Sequence, residues 1–91
     1  MLRLRLLVRG AVQGVGFRWF ARETAQQLGV AGWVRNCPDG SVEIAVGGDD
    51  SRVEQFAAAI ARGPHHASVS EVSRDPLGGG EELVRPFEIR R

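Results

Sequence analysis

The chain has 91 residues, enough for one small core, and its 43% hydrophobic and 25% charged residues lie near the globular norm, which excludes wholesale disorder. No apolar run approaches the ~18 residues of a membrane-spanning helix, and arginines interrupt the leucines of Met1 to Arg9, so no secretory signal core is expected. The formal charge of +1 conceals an asymmetry: residues 1–22 carry five arginines and no acid, whereas residues 23–91 carry seven arginines against 11 acids.

Leu2, Leu4, Leu6 and Val8 alternate with Arg3, Arg5, Leu7 and Arg9, the period of a strand with one buried face. Gly10, Gly14 and Gly16 are expected to break that strand. From Phe17 the period becomes helical, with Phe17, Phe20, Ala21, Thr24, Ala25 and Leu28 on one stripe and Gly29 as the stop. Val30 to Cys37 and Ser41 to Gly47 read as two strands joined by the turn Pro38-Asp39-Gly40, hence an antiparallel hairpin. Ser51 and Glu54 have capping-box spacing before a second helix bearing Val53, Phe56, Ala57 and Ile60, which Gly63-Pro64 ends. Ser68 to Asp75 is a weaker strand. Gly78-Gly79-Gly80 reads as a loop, and Val84, Phe87 and Ile89 read as a short last strand, which Pro86 assigns to an edge.

The order β-α-β-β-α-β, with room for one extra edge strand, is that of an α+β two-layer sandwich of the ferredoxin-like kind. Two helices cannot cover both faces of such a sheet, so both are expected on one face of a mostly antiparallel sheet. The whole of 1–91 is expected to form one domain. That topology hosts many activities and selects none.

The stretch Val8-Arg9-Gly10-Ala11-Val12-Gln13-Gly14-Val15-Gly16-Phe17-Arg18 runs from a strand into a helix. At such a junction several backbone N–H groups lack helical partners, and the helix dipole adds partial positive charge. Glycines let the loop curl so that these amides converge into an anion nest. Arg18, in the first helical turn, can fold over the nest and grip a phosphate by two parallel hydrogen bonds. Taken alone it reads as an exposed helical arginine; beside this loop it is expected to clamp a phosphate. Trp19 stands where a dinucleotide fingerprint needs its third glycine, and a Walker A loop needs a lysine that the chain lacks.

The second constellation is Gly32-Trp33-Val34-Arg35-Asn36-Cys37-Pro38-Asp39-Gly40-Ser41-Val42. Asn36 ends a strand just before a turn. It reads either as an ordinary turn asparagine capping the local backbone, or as an amide that holds a water near the nest. Cys37 has no base beside it and reads as filler. His65 and His66 read as solvated loop residues, and Trp19 and Trp33 as core or rim packing. A lone cysteine excludes an internal disulfide and fits a reducing cytoplasm, and with two histidines it supplies a zinc site poorly.

These two runs resemble the two signature segments of the acylphosphatase family. The first matches the pattern hydrophobic-x-Gly-x-Val-Gln-Gly-Val-x-Phe-Arg at every fixed position. The second matches Gly-aromatic-small-basic-Asn-x-x-x-Gly-x-Val, with Gly48 at the expected distance. Gly63-Pro64, Ala67 and Val69, and the ending Phe87-Glu88-Ile89-Arg90, are similar to weaker family marks. The departures are Ala11, where many relatives carry a basic or polar residue, and the absence of tyrosine.

The resemblance implies hydrolysis of carboxyl-phosphate mixed anhydrides, such as acetyl phosphate or 1,3-bisphosphoglycerate, to a carboxylate and phosphate. It implies that Arg18 binds the phosphoryl group, that Asn36 positions the attacking water, and that the amides of Gln13, Gly14, Val15, Gly16, Phe17 and Arg18 form the cradle. No metal, cofactor or covalent intermediate is implied, and the expected partner is a small acyl phosphate bound by a cytoplasmic monomer. The alternative is a module that binds phosphate or carbamoyl phosphate without turnover. Single-stranded RNA binding needs aromatics on the central strands, whereas the strand Ser41 to Gly47 has none and carries Glu43.

Overall fold

The alternation of leucine and arginine builds strand β1, Leu2–Ala11, in the computed structural model, which describes residues 1–91. It is followed by α1 (Phe17–Leu28), β2 (Ala31–Asn36), β3 (Val42–Gly48), α2 (Asp50–Arg62), β4 (Ser68–Pro76) and β5 (Glu88–Arg90). The five strands form one sheet in the order β4-β1-β3-β2-β5. All pairings are antiparallel except β2 with β5, so β5 is the extra edge strand.

One set of alternate strand residues forms the core: Leu4, Leu6 and Val8 of β1, Val34 of β2, and Val42, Ile44 and Val46 of β3. Phe17, Ala21 and Ala25 of α1 and Val53, Phe56, Ala57 and Ile60 of α2 cover that same face. Both helices therefore lie on one side of the sheet, as the two-layer ferredoxin-like reading requires. Leu6, Ile44, Phe56 and Ile60 have no exposed surface, and each such burial stabilises the fold by about 1.5–3 kcal/mol.

The opposite face is polar. Glu43 lies there between Arg5, whose Nε is 3.0 Å from Glu43 Oε2, and Arg35, whose Nη2 is 2.6 Å from Glu43 Oε1. The hydrogen bond and then the charge of Glu43 hold the Arg35 guanidinium above its ordinary value. Trp33 is the only aromatic residue in any strand. It is 5% exposed, and the Arg90 guanidinium lies 4.8 Å from the centre of its ring. No aromatic platform for stacked bases is present on this face.

Two expectations need correction. Gly10 does not break β1; the strand continues to Ala11 through a register shift between Arg9 and Gly10 against β4. The backbone of β4 comes so close there that a Cβ on residue 10 would stand 2.1 Å from Ser68 O. The residue is therefore glycine because of a neighbouring strand, not because of a turn. Nor does Ser51 cap α2. Asp49 is the N-cap, its side chain accepting from Arg52 N at 3.3 Å, while Ser51 lies inside the helix. Glu54 instead receives two hydrogen bonds from Arg74 of β4, at 3.0 and 2.8 Å, which fasten α2 to the edge strand. Arg74 depresses the Glu54 pKa chiefly through those bonds.

The pairing registers decide what meets at the site. Val8 of β1 faces Val42 at the start of β3, Asn36 at the end of β2 faces the same Val42, and Arg90 of β5 faces Arg35. The loop leaving β1, the turn after β2 and the end of β5 thus share one end of the sheet.

Candidate active site

Residues 12–16 link β1 to α1 without regular structure. Gly14 and Gly16 both have φ near +75°, a left-handed conformation that other residues reach only with strain. Gly16 is also the N-cap of α1 and offers no side chain to the helix. The first amide to find a helical acceptor is that of Phe20, which donates to Gly16 O at 3.0 Å. Outside the regular helices and strands, no backbone hydrogen bond takes a donor from Gln13 through Trp19. A run of unpaired N–H groups at a helix start, with no acid in the first turn, makes an anion-binding concavity.

Gly14, Gly16, Phe17 and Arg18 line one cavity of about 200 Å³ together with Asn36 from the end of β2. Val12, Trp19, Ile89 and Arg91 complete the lining. Arginines are its only ionisable side chains, so the field inside favours an anion. Arg18 is half-buried, with Nη1 3.5 Å from Arg90 O, a long contact that leaves the guanidinium fork free to grip another group.

Asn36 lines this cavity from the end of β2. The turn that follows it is closed by other groups: Asp39 Oδ1 accepts from Ser41 N at 3.0 Å and from Ser41 Oγ at 2.6 Å, Gly40 N donates to Cys37 O, and Cys37 N donates to Ser41 O. The Ser41 bonds, with a smaller contribution from Arg9, hold the Asp39 carboxyl below its ordinary range. Asp39 is therefore the turn-capping residue, and Asn36 is left to face the cavity.

Gln13 and Val15 belong to the loop but not to the cavity wall. The Gln13 side chain turns away and donates from Nε2 to Cys37 O and to Ser41 O, both at 2.8 Å. Val15 packs on the core cluster. Cys37 contributes only its backbone to this arrangement, and His65 and His66 are exposed beyond α2. No group of three or more potential metal-ligating side chains occurs in the structure.

Trp19, 58% exposed, forms part of the rim. Ile89 and Arg91 were not legible as site residues in the sequence. Their placement follows from the parallel pairing of β5 with β2, which no local pattern announces. The one available signal was the similarity of the ending Phe87 to Arg90 to a family mark.

A family model described as Acylphosphatase matches residues 4–89. An acylphosphatase of Caldivirga maquilingensis is 49% identical over 98% of this chain and 94% of its own length. One of Aeropyrum pernix is 50% identical over 99% of this chain and 89% of its own. Among solved structures, an acylphosphatase from Bacillus subtilis superposes with a TM-score of 0.86 at 35% identity, each chain covered in full.

Proposed function

The chain belongs to the acylphosphatase family, enzymes that hydrolyse acyl phosphates, and from that premise we propose how its residues perform the reaction. The phosphoryl group sits on the amides of the 13–18 loop under the Arg18 guanidinium. Asn36 holds a water in line with the bond to be broken. The observation that carries this reading is the convergence of Gly14, Gly16, Arg18 and Asn36, from two separate loops, on one cavity at a helix start.

The chemistry suits so small a set of groups. Water attacks phosphorus, the bond from phosphorus to the acyl oxygen breaks, and the electron pair leaves with a carboxylate. A carboxylic acid of pKa ~4 departs without needing a proton, so no general acid is required. The proton of the water passes to a phosphoryl oxygen of the substrate, and the products are a carboxylate and inorganic phosphate. What the protein supplies is orientation and a fixed set of donors for the developing charge.

The assay is benzoyl phosphate hydrolysis by the wild type and by Arg18→Ala, without added metal. The substitution is expected to lower the rate by at least ~10²–10³ while the circular dichroism spectrum and melting temperature stay near wild type. Full activity in a folded Arg18→Ala protein would overturn the assignment. The setting we propose is one domain, acting as a cytoplasmic monomer. The lone Cys37 has no internal disulfide partner, which fits a reducing compartment.

A further inference from the structure

The cavity at the phosphate loop shares part of its wall with a second one. Ile89 and Arg91 line it and also line a second, wider depression of about 540 Å³ between α1 and residues 84–91. Arg22 and Gln26 of α1 form one wall of this depression, and Arg85, Phe87 and Glu88 stand on the other.

Its charges are unbalanced. Among side chains, three guanidiniums, of Arg22, Arg85 and Arg91, face a single carboxylate, and that carboxylate is committed elsewhere: Glu88 Oε1 accepts from Arg90 Nε at 2.7 Å. Arg85 is fixed by a 2.7 Å hydrogen bond to Gly29 O, which orients its cation without neutralising it. Arg22 has only a 3.8 Å contact with Glu23, between side chains about a third exposed, a pair too loose to quench its charge. Arg22 also follows Arg18 by four residues, so both project from one face of α1, a rise of about 6 Å apart. A molecule whose phosphoryl group lies at Arg18 can extend along the helix and place its far end at Arg22.

We propose that this depression is a second anion subsite, which takes the distal negative charge of an acyl phosphate whose acyl group carries its own carboxylate or phosphate. The proposal rests on the phosphoryl group lying at Arg18. A neutral acyl group gains only apolar contact with Ile89, whereas a distal anion gains charge-assisted hydrogen bonds in a cleft with a surplus of guanidiniums. The distal group does not react, so its contacts are equal in ground and transition states. Their effect belongs in KM, with kcat unchanged.

The test compares benzoyl phosphate with its para-carboxy and para-phosphono derivatives, rigid pairs that differ in the distal charge. At low ionic strength the charged substrates are expected to show about tenfold higher kcat/KM, all of it in KM, shrinking as salt is added. The better of the two identifies the terminal anion. In Arg22→Gln the advantage should fall to within about twofold while benzoyl phosphate kinetics stay at the wild-type value. In Arg22→Glu the preference should invert. Equal kcat/KM for charged and neutral substrates in the wild type, or an advantage undiminished in Arg22→Gln, overturns the subsite. Failure of the Arg18 reading is separate, since it appears as undiminished benzoyl phosphate turnover in Arg18→Ala.

Discussion

Gln13 and Cys37 stand 24 positions apart in sequence, and one hydrogen bond of 2.8 Å, from Gln13 Nε2 to Cys37 O, joins them. The second amide hydrogen goes to Ser41 O at the same distance, so the side chain plugs the mouth of the turn that follows Asn36. The loop between β1 and α1 and the strand end bearing Asn36 are thereby held in one register. Gln13→Ala should lower kcat for benzoyl phosphate by at least about tenfold, since small misplacements of reacting groups cost up to ~10². In an Asn36→Ala background the same change should cost far less, because its effect passes through Asn36. Additive losses in that double-mutant cycle would reduce Gln13 to a general stabiliser.

Asn36→Ala separates water positioning from phosphate binding. Turnover is expected to drop by about a hundredfold, while the inhibition constant of inorganic phosphate changes by no more than about twofold. Steady-state kinetics with phosphate as competitor measures both, and parallel losses would contradict the assigned role.

Gly16 tests the backbone of the loop directly. A Cβ there would meet nothing within 4 Å, so any penalty comes from the left-handed φ of 76° alone. Gly16→Ala should destabilise by about 1–2 kcal/mol, and Gly16→Asn by less because asparagine tolerates that region. Denaturant unfolding of the two variants gives the order, and a larger loss for asparagine would show that the strain lies elsewhere.

The Asp39 turn predicts an acid response. The folded-state pKa of Asp39 is depressed, by its bonds to Ser41 first and by Arg9 after them. Its contribution is therefore complete above the unfolded value of ~3.9 and disappears as pH falls through the lower folded value. Melting temperatures of the wild type and Asp39→Asn should differ at neutral pH and converge as the solution is acidified below about pH 4. A constant gap across that range would disprove the linkage.

Capping of α2 provides a stability test. Asp49→Ala should cost about 0.5–2 kcal/mol, whereas Ser51→Ala, whose hydroxyl only accepts from Gln55 Nε2 at 3.3 Å, should cost little. Urea denaturation distinguishes them, and the reverse order would restore Ser51 as the cap.

Elements whose cause is local could be read directly along the chain. The leucine–arginine alternation made β1, the change of period at Phe17 set the start of α1, and Pro38-Asp39-Gly40 closed the hairpin. The two segments around Arg18 and Asn36 were likewise legible, because each is short and its chemistry depends on neighbours in sequence. The remainder was settled by contacts between segments distant in the chain or by rival side chains. Gly10 is a strand residue because β4 passes beside it, Asn36 is free because Asp39 caps the turn, and Ile89 and Arg91 reach the cavity because β5 pairs with β2. Each of these depends on strand pairing or on competition between side chains, and is settled by the total surface buried and hydrogen bonds satisfied across the sheet. Propensity acts over a few residues of chain, whereas Trp33 and Glu88 become neighbours only once the whole sheet has formed.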